Sequence, residues 1–287
     1  MGGNDWTYMQ HILDAVGGKR LFYQSQYGAL SSFGTIAKSD YNALSISVRQ
    51  RLSSLTWDFN YTYSVSKDDA SGLQTSGGFG AAFILNPLRQ KDNYSISDFD
   101  LTHIVNFNSV WDIPVGRGRS YFSGINKWAN AFIGGWQLSS VFRYNTGYPV
   151  RNFFDDSGWV TNWNLKSGGV LLAPIPTGQN MTTGTNNRPN LFGDPQAAYN
   201  SFRSPLPGET GNRNSLRFPY YIVLDMGLAK SFEMPWSENH RVTFRWDVFN
   251  VTNTARLTGL ANFSLGYQPD KGNAPANWAN FTTQQGS

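Results

Sequence analysis

Cysteine is absent from the 287 residues. That excludes a disulfide framework and any cysteine-based metal or redox site. Charge is scarce: Asp, Glu, Lys and Arg make up 15%, against about 25% in an average soluble domain. Long apolar runs are missing too. The greasiest, "AAFIL" (81–85) and "VLLAPIP" (170–176), fall well short of the ~18 residues of a membrane helix. The opening "MGGNDWTYMQ" has no basic segment followed by an apolar one, so no signal peptide is visible. The chain is therefore expected either to stay in the cytoplasm or to be a piece of something longer. The net charge of +4 is scattered, without a dense Lys/Arg run, so no nucleic-acid partner is expected. The three histidines, His11, His103 and His240, lie far apart and lack ligand spacing. No nucleophile–base–acid set can be assembled, and neither an enzyme nor a metal or other cofactor is expected.

Aromatic residues, at 15%, are abundant, and their placement is regular. In "LTWDFNYTYSVS" (55–66) every odd position is apolar or aromatic and every even one polar. The same period of two recurs at 43–51, 103–113, 136–145, 221–230 and 241–250. Successive side chains of a strand point to opposite faces, so six long strands are predicted, each with one greasy and one wet face. Their connections alternate between shorter ("LSS", 114–135 and "SFEMPWSENH") and much longer. Within 114–135 a short helix is predicted over 125–133. Outer-membrane barrels show this asymmetry, with short periplasmic turns and long extracellular loops. With the shorter turns periplasmic, Trp57, Trp111 and Trp136 fall at one membrane boundary. Tyr63, Tyr144, Tyr148, Tyr220 and Tyr221 fall near the other, giving two aromatic girdles. Trp246 falls mid-strand, outside the belt. In hydrocarbon every backbone N–H and C=O must be paired, which long strands in a closed wall achieve.

The expected fold is thus all-β: an antiparallel transmembrane β-barrel wall of about six long strands, a partial barrel with long extracellular loops. Residues 1–40 read as an extracellular loop or partial strand. Residues 41–252 read as barrel strands with long loops 67–98 and 146–219. Residues 253–287 read as an extracellular loop with the final strand missing. The expected location is the cell outer membrane of a Gram-negative-type bacterium. The alternative is a soluble or surface-attached all-β module that binds carbohydrate or peptide, since alternation also marks soluble antiparallel sheets.

Four segments carry a resemblance: "SDYNALSISVRQRLSSLTWDFNYTYSVSKDDASG" (39–72), "NYSISDFDLTHIVNFNSVWDIPVGRGR" (93–119), "GGWQLSSVFRYNTGYPV" (134–150) and "RVTFRWDVFNVTNTARL" (241–257). Together they resemble the C-terminal barrel region of TonB-dependent outer-membrane receptors, most closely the Oar-like group with a carboxypeptidase-regulatory-like domain upstream. The resemblance spans roughly residues 20–265. It implies a barrel of about 22 strands, an N-terminal plug and energy supplied through the TonB complex. The implied partners are outer-membrane lipid, the rest of the barrel and plug of a parent chain, and TonB. The implied solutes are siderophores, cobalamin, glycans or peptides. Neither a plug nor an energy-coupling box appears in the chain, six strands are too few to close a barrel, and no aromatic-ended last strand follows. The expectation is an internal fragment of such a receptor.

Two sets of residues are candidates for contact with a solute. The wet strand faces carry Asp58, Asn60, Asn106, Asn108, Arg143, Asp225, Arg245 and Asp247. In a closed barrel these line the lumen, either touching a plug or solute or forming a hydrogen-bonded ladder that stiffens the wall. The loop 147–219 carries Trp159, Trp163, Phe153 and Phe154 among many Asn. Rings with amides suit sugar or peptide capture; they equally suit a loop packed on itself. Trp57, Trp111, Trp136, Tyr63 and Tyr144 are the candidates for the lipid-interface girdle. The acids at 68–69, 97–100 and 155–156 read as solvated loop carboxylates, with a calcium loop as the alternative. "GRGR" (116–119) lacks the strand–loop–helix context of a phosphate loop and reads as a turn whose Arg117 and Arg119 meet lipid head groups. The sequons at Asn60 and Asn250 lie on predicted strands, a poor place for glycosylation.

Overall fold

The computed structural model describes residues 37–69, 71, 90–150, 168–175, 188–203, 211, 213–234, 237–261, 265 and 272–285. Six long strands dominate it. These are β1 (Ser39–Arg51), β2 (Leu55–Asp68), β4 (His103–Asp112), β5 (Trp136–Asn145), β10 (Tyr221–Met234) and β11 (Ser237–Val248). They form one antiparallel meander in the order β1-β2-β4-β5-β10-β11, with the two-residue β3 (Ser95–Ile96) paired to the end of β2. Each long strand pairs with the next long strand in the chain, so every shorter connection falls at one end of the sheet and every longer one at the other.

Register turns six separate alternations into two continuous faces. Val48, Phe59, Phe107, Phe142 and Leu224 stand in one row across five strands. Arg49, Asp58, Asn108, Val141 and Asp225 stand in a row on the opposite face. A slip of one residue at any junction would exchange the two faces, and none occurs along these rows. The long strands make their substantial contacts only with sheet neighbours, so among the described elements nothing forms a second layer over either face. Leu44, Phe244 and Trp246 are 60%, 55% and 53% exposed on the apolar side. A soluble sandwich buries that side.

The fifth and sixth strands are longer than their sequence pattern indicates. Sequence places their ends at 230 and 241, whereas β10 runs to Met234 and β11 starts at Ser237. Polar cross-strand pairs extend the hairpin. Ser231 Oγ lies 2.9 Å from Thr243 Oγ1, Glu233 faces Arg241 at 3.7 Å, and the Phe232 ring meets Phe244 edge-on at 6.0 Å. The two polar pairs stabilise the sheet without giving a hydrophobic signal, and the ring pair adds packing on the apolar face.

The predicted short helix is present as α1 (Lys127–Ile133), capped by the Asn126 side chain, which accepts from the Ala129 N–H. Buried apolar side chains collect elsewhere, at the end with the longer connections. There β6 (Pro149–Val150) pairs with β9 (Leu216–Arg217), and β7 (Val170–Leu171) pairs with β8 (Phe202–Arg203). The tail segment read as a loop holds another pair, β12 (Arg256–Leu260) with β13 (Phe281–Gln285). Between them sit Phe192, Tyr199, Phe202, Leu265 and Trp278, nearly all fully buried. Trp278 stacks on Phe192 at 5.4 Å and takes the Tyr199 ring edge at 5.3 Å. The short helix α2 (Pro195–Asn200) brings Ala198 and Tyr199 into this core. It starts on an Asp194 cap followed by proline, a favourable N-terminal sequence. Asp194→Ala is expected to destabilise the capping core by about 1 kcal/mol, read as faster amide exchange at Ala197 and Ala198.

Candidate functional site

On the polar face the candidate residues fall into small, locally satisfied groups. Asp58 Oδ1 accepts from Asn60 Nδ2 and from Asn108 Nδ2, both at 3.2 Å. Arg245 Nε donates to Asp247 Oδ1 at 2.8 Å, an exposed pair along one strand. Asp225 Oδ1 accepts from the backbone N–H of Asn250 at 2.8 Å, holding the exit of β11 against β10. Asn106 and Arg143 are register partners. Gln137 Nε2 donates to Asp112 Oδ1 at 2.8 Å, adding a pair that sequence reading did not single out. Asp58 and Asp225 share a row but are three strand spacings apart, about 14 Å at ~4.8 Å per spacing. The eight residues thus form a polar surface rather than one convergent pocket, and no acid–base pair arises from these two carboxylates. Gly227 opens this surface: an added Cβ would lie 2.6 Å from both Asp247 Oδ1 and Ser139 Oγ.

On the ring-bearing face the aromatics form two bands. Trp111 shares a row with Leu138, Leu228 and Trp246. The Trp136 ring stacks on Trp246 at 6.3 Å, and Trp57 lies 6.2 Å from Phe107. This corrects the reading of Trp246 as an outlier. The β10–β11 hairpin projects past its neighbours, so a residue far from the start of β11 still lies level with Trp111. The second band holds Tyr61, Tyr63, His103, Tyr144 and Tyr220. Tyr61 Oη lies 2.9 Å from His103 Nδ1, the Tyr63 and His103 rings are 5.4 Å apart, and those of Tyr144 and Tyr220 6.0 Å. From Trp111 to His103, β4 rises about 27 Å at ~3.4 Å per residue. With a strand tilt near 40° that projects to roughly 20 Å, comparable with the ~25 Å apolar band of outer-membrane barrels. Phe59, Phe107 and Phe142 lie between the bands.

At the end with the longer connections, the structure corrects the reading of the loop acids as solvated. Asp68, Asp69 and Asp100 are 3%, 6% and 2% exposed. Arg213 Nη2 lies 2.7 Å from Asp68 Oδ1 and 3.1 Å from Asp98 Oδ1, and its Nη1 donates to the Asp68 carbonyl at 2.8 Å. Arg217 pairs with Asp100, whose other oxygen accepts from the Ser66 N–H at 2.6 Å. Asn214 Nδ2 donates to Asp98 Oδ1 at 2.7 Å. The segment before β10 is thereby fastened to the β2–β4 connection. An added Cβ at Gly147 would collide with the Phe218 carbonyl, so the two arms of the β5–β10 connection come together only with glycine there. Among the described residues no cluster of His, Asp and Glu could hold a metal ion. Trp159, Trp163, Phe153 and Phe154 lie outside the described residues. The described part of that connection packs on itself and on the tail, where Tyr199 Oη donates to the Leu265 carbonyl at 2.7 Å. Burial pushes the Tyr199 phenol above its ordinary pKa.

A family model described as outer membrane beta barrel domain matches residues 12–286. Comparisons with curated proteins and with solved structures give no match.

Proposed function

The chain belongs to the outer membrane beta barrel domain family and its place is the outer membrane, and from that premise we propose that it forms wall of a TonB-dependent receptor of the Oar-like type. Its work in that receptor is binding and uptake of a solute, without catalysis. The polar face lines the lumen, and the ring-bearing face meets lipid. The wall is completed by further strands of a parent chain, and the lumen is filled by a plug that engages TonB. The observation that carries this reading is the register that runs through six strands of 10–14 residues, shifting only at Glu233/Met234 near the tip of the β10–β11 hairpin, with all the longer connections at one end. That wall suits a wide barrel, since small barrels of about eight strands leave little lumen, and the four quoted segments resemble that receptor group.

The test is solute uptake by cells that make the intact parent protein, measured with and without TonB. The panel comprises ferric siderophores, cobalamin, oligosaccharides and peptides. Accumulation of one solute that requires both proteins is expected. Accumulation that persists without TonB would reduce the wall to a passive pore.

A further inference from the structure

The connection between β4 and β5 has features that neither strand pairing nor solute uptake uses. Tyr121, Phe122, Trp128 and Phe132 are 62%, 66%, 82% and 76% exposed. Trp128 and Phe132, four residues apart, share one side of α1. Phe122 has φ +59°, a left-handed conformation unfavourable for a residue with a Cβ, yet its ring packs into no core. Arg117, Arg119 and Lys127 are also exposed, and residues 114–135 contain no Asp or Glu.

The segment is braced as one unit and fastened to a defined side of the sheet. Asn130 Oδ1 accepts from the Arg117 N–H at 2.7 Å, and the Asn130 carbonyl accepts from the Gly134 N–H at 2.9 Å. Trp136 Nε1 donates to the Phe132 carbonyl at 3.0 Å. Lys230, 3% exposed, donates to the Gly134 carbonyl and has its ammonium 5.1 Å from the Trp136 ring centre. Trp136 and Lys230 are register partners on the ring-bearing face. The exposed aromatics therefore continue the tryptophan band, and the cations stand beside them.

We infer that residues 117–133 form an interfacial anchor, seated in the head-group layer of the leaflet at the end with the shorter connections. Trp128, Phe132, Phe122 and Tyr121 enter the boundary of the acyl chains, while Arg117, Arg119 and Lys127 hold phosphates of anionic phospholipid. Aromatic rings partition to this layer. A helix with rings on one side and cations nearby lies in it, drawn to anionic lipid by about 1 kcal/mol per cation. The inference rests on the reading that the ring-bearing face meets lipid.

Residues 1–287 contain no cysteine, so a single label placed among them has no competitor there. The intact parent protein, with any cysteine outside residues 1–287 replaced, carries W128C, F132C or F107C and is labelled with an environment-sensitive fluorophore in vesicles of phosphatidylcholine and phosphatidylglycerol. Quenching is read with brominated lipid and with aqueous iodide. The expected result is quenching by brominated lipid at all three positions, with iodide protection deepest at 107. Iodide quenching at 128 and 132, beside lipid quenching at 107, would overturn the anchor and leave the membrane wall standing. Shielding of 128 and 132 from both quenchers would also overturn it, assigning the surface to a protein partner. Loss of lipid quenching at 107 would remove the underlying lipid-face reading and the anchor with it. Brominated phosphatidylglycerol should outperform brominated phosphatidylcholine at 128. Each of R117Q, R119Q and K127Q should lower that preference up to about five-fold, the factor corresponding to ~1 kcal/mol. An unchanged preference in the triple variant would refute the anionic-lipid contact.

Discussion

Replacing Arg213 with alanine is expected to release the segment before β10 from the β2–β4 connection. Arg213 is the cation shared by Asp68 and Asp98, and the Asp68 side chain is 5% exposed. Removing one partner of a buried pair strands the other charge, a loss of about 3–5 kcal/mol. Arg213 also donates to the Asp68 and Asn93 carbonyls, so those acceptors are deprived as well. A loss of this size makes local opening about two to nearly four powers of ten more frequent. Amide exchange at Ser97 and Asp100 reports it directly, because the Ser97 N–H donates to the Ser66 carbonyl and the Asp100 N–H to the Ser97 carbonyl. Adding Asp68→Asn and Asp98→Asn to the alanine variant should restore part of the protection, since the stranded charges are then gone. Unchanged exchange in the single variant would mean that the pairs do not hold the connection closed.

A charge on the ring-bearing face is expected to cost nearly as much. Phe107 stands between Phe59 and Phe142, in the row between the two aromatic bands. At the midplane of an outer-membrane barrel, arginine on the lipid side costs about 2–4 kcal/mol. Phe107→Arg in the intact wall should lower its unfolding free energy in lipid vesicles by that amount. Asn106→Arg, one residue away on the opposite face, should cost far less because its side chain reaches water. The contrast between neighbours is the decisive quantity: equal losses at 106 and 107 would show that no lipid distinguishes the two faces. Substituting leucine at 107 provides a third reading, in which ring packing is lost but the face remains apolar.

The strands were legible because their signal is local. Residues 55–66 alternate without a fault, and a strand sends alternate side chains to opposite faces whatever lies beside it. Legibility ended where polar residues continued a strand, as at Ser231 and Glu233 in β10 and at the start of β11 before Arg241. The strand boundaries shifted there, and Trp246 was misplaced with them. The α1 segment was legible within two residues because Asn126 caps it and Gly134–Gly135 follow it. The polar candidates were legible as a face, while their grouping into Asp58–Asn60–Asn108 and Arg245–Asp247 needed coordinates. The capping core was not legible, because Phe192, Tyr199, Leu265 and Trp278 come from stretches without a period and meet only when the chain returns on itself.

By itself the sequence determined that this chain makes long two-faced strands with their longer connections at one end, since side-chain direction and connection length are properties of neighbouring residues. The tertiary structure alone decided which residues stand level across the sheet and which charges are buried. Arg213 and Asp68 are 145 positions apart, and nothing local to either one specifies the other. Their pairing follows from strand register, which brings the ends of β2 and β10 and the loops above them to one place.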